Sequence, residues 1–164
     1  MDDGGLRLIV MRHAKAGELP GGPDADRALR PRGRKDATAA GAWLRGHGFL
    51  PDAVICSSAQ RTRQTWQYVS AELGTPVSAD IDARLYGAGA GQLADIIRAT
   101  SPQVAALMYV GHNPAAAQLA ASLTATEVSF PPAAVAVIDL PGPWAELADG
   151  AGVLAASWLP RPRS

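Results

Sequence analysis

Two arginines and two histidines of this chain each stand just after an apolar run of the kind that forms a buried strand. In an open α/β sheet, ligands bind at the carboxyl ends of the strands. A guanidinium beside an imidazole at such a place can bind an oxyanion and attack it. The pattern therefore predicts a phosphate pocket with a nucleophile of its own. The four residues are Arg12, His13, Arg61 and His112.

Three predicted strands deliver these side chains. The run Leu6–Met11, rich in Leu, Ile and Val, ends at the Arg-His pair. A second run, Val54–Cys56, leads through a short polar segment to Arg61. A third run, Leu107–Val110, leads through one glycine to His112. Because the carboxyl ends of parallel strands share one edge of a sheet, we expect the four side chains to converge there.

The positions of these residues favour a functional interpretation over a structural one. A lone histidine is more often a surface or hydrogen-bonded core residue, and a lone arginine is more often solvated. Arg61, however, falls in the first turn of a predicted helix, where the helix dipole disfavours a cation that no anion compensates. His112 precedes another predicted helix, whose N-terminus also favours negative charge. The planar guanidinium of Arg12 suits phosphoryl oxygens.

Other basic residues are less strongly indicated. Lys15 lies either at the rim of the predicted pocket or on a loop surface. The basic stretch Arg27–Lys35 is expected to form a solvated loop and helix face; the alternative is that it holds an acidic substrate. Arg63 is two residues beyond Arg61 and points elsewhere on the helix. His47 stands at a predicted helix C-terminus, where a cation is mildly favoured, and we expect it to be structural.

Length and composition indicate one soluble domain. The chain has 164 residues, enough for a sizeable core, and its 15 basic and 15 acidic residues balance. We therefore expect neither nucleic acid nor a membrane as partner. One cysteine, Cys56, allows no internal disulfide. Asp2 and Asp3, followed by a short apolar run, indicate no signal peptide, so we expect a cytoplasmic protein. We expect it to be a monomer or a weak dimer.

Strands and helices alternate along the chain, which predicts a three-layer α/β/α sandwich with a mostly parallel central sheet, in a single domain over residues 1–164. The segment Glu18–Pro31 is long enough to be a functional loop. The predicted strands are Leu6–Met11, Ala53–Cys56, Val77–Ile81, Val104–Val110, Ala133–Leu140 and Val153–Leu159. The predicted helices are Arg34–Arg45, Ser58–Leu73, Gly91–Ala99 and Pro114–Leu123, the last with Asn113 as N-cap.

Motifs of several other chemistries are missing from the sequence. There is no GxxxxGK[ST] phosphate loop, no GxGxxG after the first strand and no GxSxG turn. Three widely spaced histidines and one cysteine do not have the spacing of zinc ligands. We therefore expect no metal ion and no organic cofactor.

In these residues the chain resembles the histidine phosphatase superfamily, also called the phosphoglycerate mutase-like or RHG-motif proteins. The short length and the run Arg12–Ala16 are most similar to bacterial phosphohistidine phosphatases of SixA type. Ala14 stands where the commonest motif has glycine, a change common in that branch. The resemblance covers nearly the whole chain and rests on Arg12-His13-Ala14, on Ser57–Thr65 with Arg61, and on Gly111-His112.

The resemblance implies a phosphoglycerate mutase-like fold and a role for each of the four residues. His13 would be the nucleophile that takes up the phosphoryl group. Arg12, Arg61 and a protonated His112 would bind that group and neutralise its charge. We expect the flanking cations to help keep His13 unprotonated.

The sequence departs from the larger family members at the general acid. Those members carry a glutamate shortly after an Arg-Leu pair, whereas here Arg84 and Leu85 are followed by Tyr86 and a glycine. Asp80 and Asp82 are the nearest carboxylates, and spacing alone does not identify either of them as the general acid.

A missing acid affects substrates unequally. An alkyl ester expels an alkoxide, almost as basic as the hydroxide formed from water with its pKa of ~15.7. Phosphohistidine expels an imidazole, whose pKa is ~6.5. Loss of an acid slows the first class by roughly 10²–10⁴-fold and the second far less. The sequence therefore favours phosphohistidine in a protein, or another substrate with a good leaving group.

Two alternatives stay open at this point. One is a broad phosphomonoesterase acting on small phosphorylated metabolites, with Asp80 or Asp82 as proton donor. The other is a non-catalytic module that binds phosphate or a phosphopeptide, which would explain the missing acid but leave His13 without a purpose. A mutase is disfavoured because the chain is short and lacks the glutamate.

Overall fold

A single six-stranded sheet forms the centre of the computed structural model, which describes residues 5–162, so that Asp2 and Asp3 lie outside the described residues. The strand order is β3-β2-β4-β1-β5-β6, and only β5 runs against the other strands. The mostly parallel sheet of the prediction is confirmed. The strands are β1 (Leu6–Arg12), β2 (Ala53–Ser57), β3 (Ala79–Asp82), β4 (Ala106–Gly111), β5 (Val135–Leu140) and β6 (Val153–Trp158).

Helices cover both faces of this sheet and complete the predicted three layers. Side chains of β1 alternate, so that Leu8 and Val10 pack under α3 and α4, whereas Ile9 and Met11 pack under α1 and α2. No helix within residues 5–162 combines the length and apolar character needed to cross a membrane. The helices are α1 (Pro31–Gly46), α2 (Gln60–Leu73), α3 (Ala90–Arg98) and α4 (Ala115–Thr124).

Helix starts differ from the predictions by one to three residues. Helix α1 begins at Pro31, because proline is preorganised for a first helical position, and the Arg30 carbonyl accepts from the amide of Arg34. Helix α2 begins two residues after Ser58. At α4 the cap position is Pro114, although Oδ1 of Asn113 still accepts from a first-turn amide, that of Ala117, at 3.2 Å.

Strand ends also differ slightly. Val104 precedes β4 because its carbonyl accepts from the indole of Trp144 at 2.8 Å instead of from a neighbouring strand. Ala133 precedes β5 because its φ of 74° is incompatible with a strand. No α-helix joins β5 to β6; a 3₁₀ turn at Trp144–Glu146 does so.

The sheet order explains why the predicted site residues can meet. Strands β2, β4 and β1 are parallel neighbours, so their carboxyl ends lie side by side. With strands about 4.8 Å apart, these three ends span only ~10 Å, which is within reach of an arginine side chain from the far end.

Candidate active site

The structure brings the four predicted side chains together at the carboxyl edge of the sheet. Arg12 ends β1 and His13 follows it, while His112 follows β4 directly. Arg61 is the second residue of α2, the helix that begins after β2. The rings of His13 and His112 have centroids 5.5 Å apart and are tilted by 60°.

His13 is held as a neutral base. Its side chain is buried, and Nδ1 donates to the carbonyl of Ala14 at 2.8 Å, which leaves Nε2 with a free lone pair. Burial lowers the pKa of His13 to about 3, opposed by the Ala14 hydrogen bond. The charges of His112, Arg61 and Arg12 lower this pKa further. The flanking cations therefore act as predicted, but burial is the larger cause.

Each of the two arginines donates a hydrogen bond to a loop carbonyl beside the cluster. Nη1 of Arg12 donates to the carbonyl of Phe130 at 3.1 Å, and Nη1 of Arg61 donates to the carbonyl of Asp24 at 3.0 Å. Both Nε atoms are buried without a hydrogen-bond partner among residues 5–162. Burial and the charge of Arg61 lower the pKa of Arg12. Two close guanidiniums with unsatisfied donors are suited to an oxyanion.

His112 is fixed by a residue of the neighbouring strand β2 and by a residue of its own strand, β4. Its Nε2 lies 2.8 Å from Oγ of Ser57 at the end of β2, and its amide donates to the hydroxyl of Tyr109 at 3.2 Å. A Cβ on Gly111 would collide with that hydroxyl, so only glycine fits before His112. Burial, followed by the charge of Arg61, lowers the pKa of His112 to about 4. Without a bound anion the imidazole is therefore neutral at neutral pH.

A carboxylate that the sequence did not single out lies against this cluster. Oδ2 of Asp24 accepts from Nη2 of Arg61 at 3.1 Å and from the hydroxyl of Tyr86 at 2.5 Å. Its Oδ1 accepts from Nε of Arg27 at 2.9 Å. These hydrogen bonds, that from Tyr86 first, hold the pKa of Asp24 well below its usual range. Asp24 is therefore ionised at neutral pH and has no proton to donate.

A free imidazole nitrogen between two guanidiniums can attack a tetrahedral oxyanion that those guanidiniums hold. The sequence profile of the histidine phosphatase superfamily (branch 1) matches residues 8–128, which include all four clustered side chains. The chain belongs to the histidine phosphatase superfamily. In the part of this phosphatase that the structure describes, no three side chains of the types that bind metals form a group able to hold an ion.

Similar proteins assign this phosphatase to the SixA-type branch. It is 38% identical over 162 residues to the uncharacterized protein Rv1276c of Mycobacterium tuberculosis, covering 92% of this chain and 100% of that protein. It is 28% identical over 139 residues to the phosphohistidine phosphatase SixA of Escherichia coli, covering 82% of this chain and 86% of that protein.

Solved structures agree with this assignment and confirm the phosphoglycerate mutase-like fold. A SixA-type protein of Nakamurella multipartitia superposes with a TM-score of 0.85 at 32% identity, covering 96% of this chain and 98% of that chain. The protein histidine phosphatase SixA complexed with tungstate superposes with a TM-score of 0.79 at 26% identity, covering 93% and 96%.

The two carboxylates considered as proton donors have other surroundings in this phosphatase. Asp82 accepts at Oδ1 and Oδ2 from the guanidinium of Arg84, which is the first cause of the lowered pKa of Asp82. Asp80 in β3 pairs with Ile55, which lies two residues before the end of β2. The backbone of Asp80 therefore lies about 6.6 Å along the strand from the carboxyl edge of the sheet. Neither carboxylate is among the groups that contact the four clustered residues.

Helix α2 fixes the backbone next to His13. Oγ1 of Thr65 accepts from the amide of Ala14 at 2.9 Å and donates to the carbonyl of Arg61 at 2.7 Å. Oε1 of Gln64 accepts from the amide of Leu29 at 2.8 Å. One helix therefore orients the chain after β1, the loop that carries Asp24, and its own arginine.

Two of the residues set aside in the sequence lie away from the cluster. His47 ends α1, where its Nδ1 is 2.9 Å from the carbonyl of Trp43 and its ring stacks on Phe49. Arg63 is exposed and donates to the carbonyl of Ser58 at 3.0 Å. Both have structural contacts.

Sequence reasoning missed three polar groups of the phosphatase site: Asp24, Tyr86 and Ser57. The loop containing Asp24 was expected to be functional because of its length, but spacing did not identify the residue. Tyr86 follows the Arg-Leu pair and lies edge-on to His112, with ring centroids 5.7 Å apart. Ser57 is the last residue of β2 and directly follows the predicted strand Ala53–Cys56, a position at the carboxyl edge of the sheet that could have identified it.

Proposed function

We propose that this phosphatase hydrolyses phosphohistidine in proteins, with His13 as the group that first accepts the phosphoryl. The names of its relatives support the substrate class, since SixA of Escherichia coli is a phosphohistidine phosphatase. The tungstate held by a similar structure is a tetrahedral oxyanion like phosphate.

In the first step, Nε2 of neutral His13 attacks phosphorus in line. The bond from phosphorus to the substrate imidazole breaks, and that imidazole leaves as a neutral ring because its other nitrogen carries a proton. Arg12 and Arg61 hold the phosphoryl oxygens, each charged hydrogen bond contributing ~1.5–3 kcal/mol. The carbonyl of Ala14 accepts from Nδ1 of His13 and stabilises the cationic phosphorylated ring.

In the second step, water attacks phosphorus and the bond to Nε2 breaks, which returns neutral His13 and free phosphate. His112 takes part once the anion is bound. A phosphoryl dianion next to it raises the pKa of an imidazole, so the imidazolium that the family resemblance implies forms with the substrate in place.

The observation that carries the substrate proposal is the set of hydrogen bonds that the carboxylate of Asp24 accepts. This carboxylate contacts Arg61 directly and accepts three hydrogen bonds from side chains, so it does not act as an acid. A pocket that supplies no carboxylic proton favours leaving groups that need none, such as imidazole. The free Nε2 of His13 supports turnover over simple phosphate binding.

A panel of substrates with increasingly basic leaving groups tests this proposal. Hydrolysis of a phosphohistidine peptide, an aryl phosphate and an alkyl phosphate is compared by phosphate release. We expect the alkyl phosphate to react ~10²–10⁴-fold more slowly than the phosphohistidine. Equal rates on alkyl phosphate and phosphohistidine would instead support the phosphomonoesterase. Stoichiometric binding of the peptide without phosphate release would support the binding module.

A further inference from the structure

A cavity of about 430 Å³ opens beside the nucleophile and is not used by the mechanism. Three cations line it, and three prolines supply much of its remaining wall. We call it the basic groove. Its residues are Lys15, Arg30, Arg32, Pro131, Pro132 and Pro160, together with the carboxylate Asp36.

Both walls of the basic groove are formed by chain segments that also hold residues of the phosphate cradle, the cluster of Arg12, His13, Arg61 and His112. Lys15 is two residues beyond His13 on one wall. On the other wall, Pro131 follows Phe130, whose carbonyl accepts from Arg12 at 3.1 Å. The carbonyl of His13 accepts from the amide of Ala133 at 3.0 Å, which ties the two walls together at the nucleophile.

The backbone of the groove is closely packed. The carbonyl of Lys15 accepts from the amide of Arg30 at 3.0 Å, so the two cationic residues lie side by side. A Cβ on Gly33 would collide with the same carbonyl, which shows how closely α1 approaches the loop after β1. The prolines, whose rings fix the backbone φ angle, form rigid parts of the groove wall. Ligand binding here requires little ordering of the backbone.

The charges of the groove are only partly compensated. Asp36 is paired with Arg32, whose Nε lies 3.1 and 3.2 Å from its two carboxylate oxygens. Arg32 also donates to the carbonyl of Arg161. Lys15 and Arg30 are exposed, and among residues 5–162 neither side chain forms an ion pair. Two positive charges therefore face the groove with no ion-pair partner among residues 5–162.

We propose that the basic groove binds an acidic segment that flanks the phosphohistidine in the protein substrate. The inference rests on the proposed function and adds to it a preference among phosphoproteins. A phosphohistidine in the cradle brings its neighbouring residues to the groove, because both share the loop walls. Carboxylates in that segment complement the two uncompensated cations, and apolar atoms can pack on the prolines. The chain as a whole has no net charge, so this positive surface is local.

The test compares two phosphohistidine peptides of equal length, one with Asp and Glu on both sides of the phosphohistidine and one with Asn and Gln. Free phosphohistidine is the substrate without flanks. The variant Lys15→Ala/Arg30→Ala removes the uncompensated charges. The matched control Lys35→Ala/Arg45→Ala removes two exposed charges of α1 that do not line the groove. Thermal melts check that each variant is folded.

We expect the unmodified protein to have a KM for the acidic peptide about tenfold below that for the neutral one, equivalent to ~1.4 kcal/mol. The groove variant should lose this difference and the control should keep it. All proteins should hydrolyse free phosphohistidine at the same rate. The preference should also weaken between low and high salt, because exposed charges are screened.

Equal KM values for the two peptides in the unmodified protein, or a preference that survives in the groove variant, would overturn the proposal. These outcomes are distinct from failure of the proposed function. In that case the unmodified protein would release no phosphate from free phosphohistidine or from either peptide.

Discussion

The active site has two halves that are built differently. Arg12, His13 and His112 stand at strand ends, where buried hydrogen bonds to neighbouring strands fix them. Asp24 begins the 3₁₀ turn Asp24–Asp26, Tyr86 directly follows the 3₁₀ turn Ala83–Leu85, and both side chains are exposed. In the proposed mechanism the first half holds the reacting atoms, and the second half adds a negative charge beside Arg61. We call them the strand half and the loop half.

Arg61 joins the two halves. It extends from the first turn of α2 and is 6% exposed, and it contacts both the backbone and the carboxylate of Asp24. The comparison shows that a rigid sheet edge can hold the nucleophile while a loop supplies an ionised carboxylate beside it. Changes in the strand half should therefore affect the rate strongly, and changes in the loop half should mainly affect anion affinity.

Removing the nucleophile from the strand half should have the largest effect. We expect His13→Ala to lower kcat on a phosphohistidine peptide by at least ~10⁴-fold. Phosphate should still protect the variant against thermal unfolding, since both arginines stay in place. Turnover that survives in folded His13→Ala would assign the chemistry to another group.

Replacing Arg61, the residue that joins the two halves, should have the next largest effect. Lysine keeps the charge of Arg61 but loses the planar guanidinium, so we expect Arg61→Lys to lower kcat/KM by ~10²–10³-fold. The control is Arg63→Lys, which changes an exposed arginine of the same helix. Similar losses in both variants would mean that the helix, and not this guanidinium, matters.

The two buried imidazoles of the strand half should make stability depend on pH. The pKa values of His13 and His112 are lowered from 6.5 to about 3 and about 4 in the folded protein. Below pH 6.5 the unfolded chain takes up protons that the folded chain does not, so the free energy of unfolding falls as pH falls. Each histidine contributes ~1.4 kcal/mol per pH unit in the window between its two pKa values.

Denaturant unfolding from pH 6.5 to pH 4 measures this dependence. His13→Gln should retain about half of the histidine contribution to the slope. A slope that is the same in this variant would show that other groups cause the pH dependence.

Removing the negative charge of Asp24 in the loop half should have the smallest effect. Asp24→Asn removes a negative charge that competes with phosphate for Arg61, so inhibition by phosphate should strengthen by up to about fivefold, the factor for ~1 kcal/mol. The control is Asp26→Asn in the same 3₁₀ turn. A large fall in kcat in Asp24→Asn would mean that Asp24 takes part in the chemistry itself.

The strand half was predictable from the sequence, and the loop half was not. An apolar run that ends at Arg12 and His13 predicts a buried strand, and parallel strand ends must share one edge. Asp24 reaches Arg61 only because the loop folds back over α2 through contacts such as that of Leu29 with Gln64. Contacts across such sequence separations leave no periodic pattern.

The pKa of His112 in the folded protein also could not be predicted from the sequence. The neighbouring residues predict an anion-binding imidazole, but its pKa depends on how deeply the folded chain buries the ring. Helix boundaries differed from the predictions for a similar reason. At α4, for example, the side chain of Asn113 also donates to the distant carbonyl of Phe130.

Rapid-quench labelling tests the role of His13 most directly. The protein is mixed with a phosphohistidine peptide carrying a labelled phosphoryl group and is denatured within the first turnover at alkaline pH. Mass spectrometry then locates the label. We predict acid-labile phosphate on His13 that forms and decays at rates consistent with kcat. Complete turnover with no phosphate on His13, or with phosphate on a different residue, would contradict the mechanism.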